Sequence, residues 1–363
     1  MRLFTFLRFM RQITRKKPAD LDWIQNQGLI AVKLAQIFAL RPDLLGEEKC
    51  QQLQQLYQHA ASIPSESLDE TLKLKAIENF TDHFESIEQE PLAAASVGQV
   101  HRAKLKTGEQ VIIKFVKQAN SKVFSKQVKR MRNWLKVIVL FSPRLRKVGN
   151  PIALINHVAD YTLRELDLTN EIKGAGELMK IQSDISKNFP TPLLRFPKYY
   201  PDISNENVLV SEFIDGESLE EGINDKSLSW DKLLELFRIH GAYLFGIGTF
   251  HGDLHPGNCI IDKEGKFVFI DNAAVCHAPK NVSKSLFVFF DNLSQQKLDE
   301  AFIALLEMTD RHPSEKKMKK YMSKMHEIYA DFGKKSVGEQ SLTKIMMQTV
   351  RAAVELAGAE FGE

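Results

Sequence analysis

Long apolar runs are missing from this 363-residue chain. No stretch of 18 apolar residues occurs, and the run from Trp134 to Phe141 is short and interrupted by Lys136. A membrane-spanning tail of the kind some chains carry is therefore not expected here. Cysteine is scarce as well. Cys50, Cys259 and Cys276 match no paired metal spacing and no disulfide framework, which suits a reducing compartment. Internal repeats and low-complexity tracts are absent, so a solenoid or an extended linker is excluded. What remains, 44% hydrophobic and 26% charged residues, describes a globular chain long enough for two lobes with cores of their own.

Acidic residues are missing locally. None precedes Asp20, whereas Arg2, Arg8, Arg11, Arg15, Lys16 and Lys17 crowd the same segment, and these six charges exceed the formal net charge of +3 of the whole chain. Leu3, Leu7, Met10 and Ile13 approximate one helical face. Two readings stay open for this segment: an interfacial helix on anionic lipid, or a helix docked on the core with solvated arginines. No small-residue cleavage site follows to mark a signal peptide. Nucleic acid is not an expected partner, because the basic residues do not continue into a surface interleaved with aromatics.

The most informative stretch is His251-Gly-Asp-Leu-His-Pro-Gly-Asn258, followed by the apolar run Phe267-Val-Phe-Ile270 and then Asp271. It sets out an acid, an amide, a hairpin and a second acid in the order that in-line phosphoryl transfer needs, where positioning and charge neutralisation do the chemistry. Asp253 fits the role of the base that orients an acceptor hydroxyl. Asn258 and Asp271 supply the hard oxygen donors that Mg2+ prefers, and the apolar run reads as a buried strand delivering Asp271 at its edge. Single Asp and Asn residues are common in turns; the ordered set carries the reading. His251 and His255 stand four apart like zinc-binding histidines on a helix, but Pro256 and Gly257 oppose a helix and no glutamate follows His251. They read as braces of the loop.

Upstream, Pro91-Leu-Ala-Ala-Ala-Ser-Val-Gly-Gln-Val100 leads into a strand, a turn at Gly108 and a second strand carrying Lys114 at the end of an apolar run. Ala93, Ala94, Ala95, Ser96, Val97 and Gly98 then form a nucleotide loop, with Lys114 as the cation for the phosphates. Leu209-Val-Ser-Glu-Phe213 is the expected hinge, offering Glu212 and Phe213 to a nucleotide, and Asp215-Gly216 breaks it. A literal Asp331-Phe-Gly333 is a decoy: no apolar strand precedes it, and Tyr329 and Phe332 have ordinary helix-packing spacing.

Taken together, these motifs resemble the UbiB (AarF) family of atypical kinases over roughly residues 29 to 275. Ala93 to His101 is similar to the family's alanine-rich loop, Lys33-Leu-Ala-Gln36 with Arg41-Pro-Asp-Leu-Leu45 to its KxGQ motif, and Glu165-Leu-Asp167 to its ExD motif. The resemblance implies that Glu171 pairs with Lys114, making Lys114, Glu171 and Asp253 the catalytic set. It also implies that Glu165 and Asp167 face Lys33 and Gln36 as a regulatory cover. Glu165, Asp167 and Glu171 fall in one helix expected from about Pro151 to Lys187. Four positions depart from the pattern: Ala35 replaces glycine, Leu254 replaces proline, and Asn272-Ala273 replaces Phe-Gly. Turnover and regulation, rather than nucleotide binding, should carry the difference.

The expected fold is α+β and two-lobed, like a protein kinase, with a small strand-containing N-lobe, helical insertions and a mainly helical C-lobe. Its expected parts are a basic segment (1–21), a helical extension (22–80), an N-lobe (81–212) and a C-lobe (213–363). The resemblance implies ATP or ADP with Mg2+ as cofactors, and a kinase or ATPase supporting ubiquinone or another isoprenoid-lipid pathway. The place implied is the cytoplasmic side, peripheral on the inner membrane, on an anionic surface or isoprenoid lipid and within a biosynthetic complex. Protein kinase activity is disfavoured. A nucleotide-sensing scaffold and a soluble small-molecule phosphotransferase are the alternatives.

Overall fold

The computed structural model describes residues 3–15, 17–39, 45–58, 64–94, 97–117, 121–141, 151–309, 313–333 and 342–359. The chain forms two compact units interleaved along the sequence. The first comprises Met1–Lys180, Pro192–Ser229 and His251–Val275, and the second Ile181–Thr191, Trp230–Phe250 and Cys276–Glu363.

An antiparallel sheet organises the first unit. Strands β1 (Phe84–Ile87), β3 (Gly98–Leu105), β4 (Gln110–Val116) and β6 (Val208–Glu212) lie side by side in that order, and β2 (Ala93–Ala94) pairs with β3. Alternation along β4 buries Val111, Ile113 and Phe115 on one face, in a core shared with Leu68, Leu72, Phe80 and Val210. The period of two then sends Lys114 to the opposite face. Gly108, at φ +100°, closes the β3–β4 hairpin where the sequence places its turn. A second sheet runs in the order β5 (Leu194–Arg195), β10 (Phe267–Phe269), β9 (Cys259–Asp262) and β7 (Gly216–Ser218). Its β9–β10 hairpin buries Phe267, Val268 and Phe269 and ends just short of Asp271.

Around the first sheet lie the helices α1 (Leu3–Thr14), α2 (Leu21–Asn26), α3 (Leu29–Ala39), α4 (Glu47–Gln58), α5 (Leu68–Lys75), α6 (Ser121–Phe141), α7 (Pro151–Glu165) and α8 (Thr169–Ile185). Phe9, Ile13, Ile30, Ala35, Leu53, Leu56 and Val158 share one core among them. The apolar face expected on α1 is divided. Met10 and Ile13 pack inward with Phe6 and Phe9, whose rings have the most apolar area to bury, while Leu3, Phe4 and Leu7 remain exposed.

The second unit is almost wholly helical. Helices Lys280–Ser294, Leu298–Leu306, Glu315–Ile328 and Leu342–Ala352 surround Phe289, Phe302, Tyr321, Met325 and Tyr329, and helix Trp230–Gly241 belongs to the same unit. The literal Asp331-Phe-Gly333 lies here in a turn. Phe332 sets its ring 5.2 Å from that of Tyr329, and Gly333 adopts φ +79°, so the segment is packing, as its spacing predicts. Among the described residues no helix is long and apolar enough to cross a membrane. The architecture is an α+β protein-kinase-like fold, strand-bearing toward the N-terminus and helical toward the C-terminus.

Candidate active site

Lys114 is the pivot of the site. It lies on β4 opposite Val100 of β3 and Leu209 of β6, and its ammonium donates to Glu171 on α8 and, at 3.1 Å, to Oδ2 of Asp271 beyond β10. Burial pushes the Glu171 carboxyl up to about 7 against the pull of Lys114. Burial alone would depress the Lys114 amine, but the charges of Asp271 and Glu171 outweigh it and hold it above its ordinary value. Burial would likewise raise Asp271, and there the Lys114 charge prevails and lowers it. At neutral pH the cation on Lys114 and the anion on Asp271 therefore sustain each other.

Beside this bridge β3 begins. A Cβ on Gly98 would stand 3.2 Å from the Phe115 carbonyl and 3.9 Å from Cε of Lys114, so the glycine lets the first residue of β3 lie close to the lysine. Of the expected nucleotide loop, Ala93 and Ala94 form β2, Val97 is buried and Gly98 opens β3; Ala95 and Ser96 lie outside the described residues, as do Arg41 to Leu44 of the KxGQ-like stretch. In the expected hinge, both carboxylate oxygens of Glu212 accept from Nη1 of Arg195 at 3.1 Å. The Phe213 amide donates to the Gln110 carbonyl, and the Arg102 guanidinium covers its ring at 4.0 Å.

His251 joins the two acids through their backbones. Its Nε2 donates to the Asp271 carbonyl at 3.0 Å, and its Nδ1 accepts the Asp253 amide at 3.2 Å. Since a carbonyl can only accept and an amide N–H can only donate, the imidazole is neutral with its proton on Nε2. Burial agrees with this, holding His251 below its ordinary value. Nδ1 of His255 accepts the Gly257 amide at 3.1 Å, so both histidines brace the loop. Asn258 donates through Nδ2 to the Asp253 carbonyl at 3.0 Å, which leaves its side-chain oxygen as the atom to offer a cation. Asp271, at φ +58°, has a side chain 40% exposed. Two hard oxygen donors of this kind fit magnesium when phosphate oxygens and water supply the others. Among the described residues no group of three or more His, Cys, Asp or Glu is arranged to hold a metal.

A second cation sits nearby. Lys33 on α3 approaches both carboxylate oxygens of Glu165, at 2.8 and 2.6 Å, and its ammonium lies 5.6 Å over the ring of Tyr161. Burial raises the Glu165 carboxyl despite Lys33. Two expectations need correction here. The single helix from about Pro151 to Lys187 is two helices, because Asp167 accepts from the Thr169 amide and hydroxyl at 3.1 and 2.7 Å and starts α8 anew. That carboxylate therefore serves the chain turn rather than Lys33. Gln36 is buried and donates to the Leu56 carbonyl at 3.1 Å, toward α4.

Sequence reasoning missed three residues. Tyr161 donates to Oδ2 of Asp253 at 2.5 Å; its spacing of one helical turn from Glu165 puts the two on one side of α7, but no local signal ties it to Asp253. Tyr199 receives the side-chain amide of Asn272 at 3.1 Å, while the same amide donates to the Phe269 carbonyl at 2.8 Å. Asn272 thus pins the backbone directly after Asp271. Gly174 admits that backbone against α8, since a Cβ there would lie 1.9 Å from the Asn272 carbonyl.

Comparison with known proteins identifies the family. The ABC1 atypical kinase-like domain matches residues 55–302, more than half of the chain. A "Probable protein kinase UbiB" of Pseudomonas fluorescens is 26% identical over 93% of this chain and 64% of its own length, and the uncharacterized protein Rv0647c of Mycobacterium tuberculosis is 28% identical over 74% and 56%. The chain thus spans less than two thirds of the length of these relatives. In fold it is similar to Rv3197 of Mycobacterium tuberculosis, solved as a complex with erythromycin, with a TM-score of 0.55 and 19% identity over 98% of this chain and 90% of that one. With the matched domain covering the Lys114, Glu171, Asp253 and Asp271 cluster, the chain belongs to the UbiB/AarF family of ABC1 atypical kinase-like proteins.

Proposed function

We propose that this chain binds ATP or ADP with magnesium and acts as an atypical kinase or ATPase. The observation that carries the reading is Lys114 held between Glu171 and Asp271 with Asp253 tied to the same loop through His251. Lys114 would meet the nucleotide phosphates, β2 and the start of β3 at Gly98 would lie beside them, and the Glu212–Phe213 segment would border the base. Asp271 and Asn258 would hold magnesium, which when bound neutralises charge developing on the phosphate oxygens. Asp253 would orient an acceptor hydroxyl and take its proton. Service to ubiquinone or another isoprenoid-lipid pathway rests on the likeness to UbiB relatives. A place on an anionic membrane surface rests on exposed Leu3, Phe4 and Leu7 beside Arg8, Arg11 and Arg15 of the α1 segment.

A second reading, a nucleotide-sensing scaffold, is favoured by one feature: the Tyr161 hydroxyl already occupies Asp253. Nucleotide titration with and without magnesium tests the first reading. Lys114→Ala should weaken binding in both conditions, Asp271→Asn should remove mainly the magnesium-dependent part, and Asp331→Asn should do neither. Equal losses from Asp271→Asn and Asp331→Asn would overturn the site. Phosphate release measured beside the titration separates enzyme from scaffold.

A further inference from the structure

We propose that Tyr161 is the acceptor-site gate: its phenol stands on Asp253 where an acceptor hydroxyl would stand, and keeps water off that carboxylate until a hydroxylated acceptor displaces it. The inference rests on the nucleotide reading above and adds to it a residue that selects the acceptor. The hydroxyl lies 2.5 Å from Oδ2 of Asp253, within the reach required between a general base and the group it serves. One turn along α7, Glu165 faces the same side. Lys33 pairs with Glu165 and lies 5.6 Å over the Tyr161 ring, so one cation from α3 holds both.

The phenol keeps its proton. Burial first, then the charges of Glu165 and Asp253, raise it far above the ordinary tyrosine value, so it meets Asp253 as a donor and does not ionise into a nucleophile. The same charges disfavour Tyr161 as a phosphoryl acceptor, because a phosphate dianion there would confront Glu165, Asp253 and Asp271 together. In hydrolysis a water oxygen would bond to the γ-phosphorus, the bond to the leaving nucleoside diphosphate would break, and the water proton would pass to Asp253. While Tyr161 donates to Oδ2, that oxygen is engaged and the place of the water is filled. A competing alcohol must replace both the hydrogen bond and the ring, which water cannot do.

Tyr161→Phe removes the hydroxyl and keeps the ring under Lys33. The expected result is a rise of at least about tenfold in phosphate release from magnesium-ATP without added acceptor, the equivalent of one hydrogen bond to a charged group, with nucleotide affinity little changed. The gain should vanish in Tyr161→Phe combined with Asp253→Asn. A merely structural role predicts slower release, not faster. Lys33→Ala, which frees the ring but keeps the hydroxyl, should give a smaller gain in the same direction and serves if the phenylalanine variant folds poorly. Intact nucleotide binding with unchanged or slower release in both variants would overturn the gate alone, as would phosphate found on Tyr161 of the wild-type protein by mass spectrometry. Absence of nucleotide binding in the wild type would overturn the underlying reading and the gate with it.

Discussion

Gly174→Ala puts the packing behind the site to a direct test. The added methyl carbon would lie 1.9 Å from the Asn272 carbonyl oxygen and 3.1 Å from Cγ2 of Val275. The first distance must lengthen by more than about 1 Å before it becomes an ordinary contact. Either α8 or the strand end at Asp271 has to move, and Glu171 stands one turn before Gly174 while Asp271 directly precedes Asn272. The Glu171–Lys114–Asp271 bridge therefore opens whichever side yields. Overpacking of this kind costs about 1–3 kcal/mol, whereas the better helix propensity of alanine returns at most about 1 kcal/mol. A displacement near 1 Å is enough to lower a positioned reaction by about a hundredfold. Gly176, two residues further along the same helix, has nothing within 4 Å of its would-be Cβ, so Gly176→Ala should be neutral or stabilising by up to about 1 kcal/mol. Urea unfolding and magnesium-nucleotide titration of the two variants provide the comparison. Equal behaviour of Gly174→Ala and Gly176→Ala in both assays would refute the contact as the constraint on the site.

Acidity should act through His251: its depressed value means that its contribution to stability is present above its ordinary value near 6.5 and is lost as pH falls through the lower folded value. Urea midpoints measured from pH 8 to pH 5 should therefore fall more steeply for the wild type than for His251→Gln. Glu171 has the opposite sign, since its value is raised to about 7: its contribution is present below its ordinary value near 4.5 and is lost as pH rises through about 7, so Glu171→Gln should lose less stability than the wild type over that rise. Lys33→Ala and Glu165→Ala should be non-additive in a double-mutant cycle of stability by about 1–3 kcal/mol, because either change alone strands a largely buried charge; additivity would place the pair outside any shared network. Phe4→Ser combined with Arg11→Glu and Arg15→Glu should weaken flotation with anionic vesicles, most at low salt and by about 1 kcal/mol per basic residue, while nucleotide affinity stays constant.

How far the sequence disclosed this arrangement depended on the range of each signal. The β9–β10 hairpin and the turn at Gly108 are local consequences of residue patterning and glycine placement, and they stood where the pattern put them. The decoy at Asp331 was also legible, since the absence of a preceding strand is a local fact. The partners of Tyr161 and Gly174 were not. Tyr161 and Asp253 are 92 positions apart, and a tyrosine on an amphipathic helix looks the same whether it fills a core or a catalytic position. Gly174 lies within a helix, where glycine usually only weakens the element; the reason for it is a carbonyl from a distant hairpin. On α1 the expected stripe of Leu3, Leu7, Met10 and Ile13 had the right period, but Phe6 and Phe9 offered more area to the core and turned the helix to their side.

Asp167 shows how a motif can require an acid for a reason other than ionic pairing. The residue lies between two glutamates that must reach different lysines: Glu165 meets Lys33, and Glu171 meets Lys114. On one continuous helix the six-residue separation would turn these carboxylates to different faces. The break at Leu166 to Leu168 releases that constraint, and the Asp167 carboxylate makes the break by satisfying the Thr169 amide and hydroxyl. Leu166 and Leu168 are buried on either side, and the Leu168 amide donates to the Glu206 carbonyl, which fixes the angle of the new start. Asp167→Asn can still accept the Thr169 amide, whereas Asp167→Leu favours continuation of α7 into α8 and would rotate Glu171 away from Lys114. Nucleotide affinity should therefore survive the asparagine and fall with the leucine, at a cost near the 0.5–2 kcal/mol typical of a lost cap plus the loss of the Lys114 contact. Equal effects of the two substitutions would return Asp167 to a direct charge role in the site.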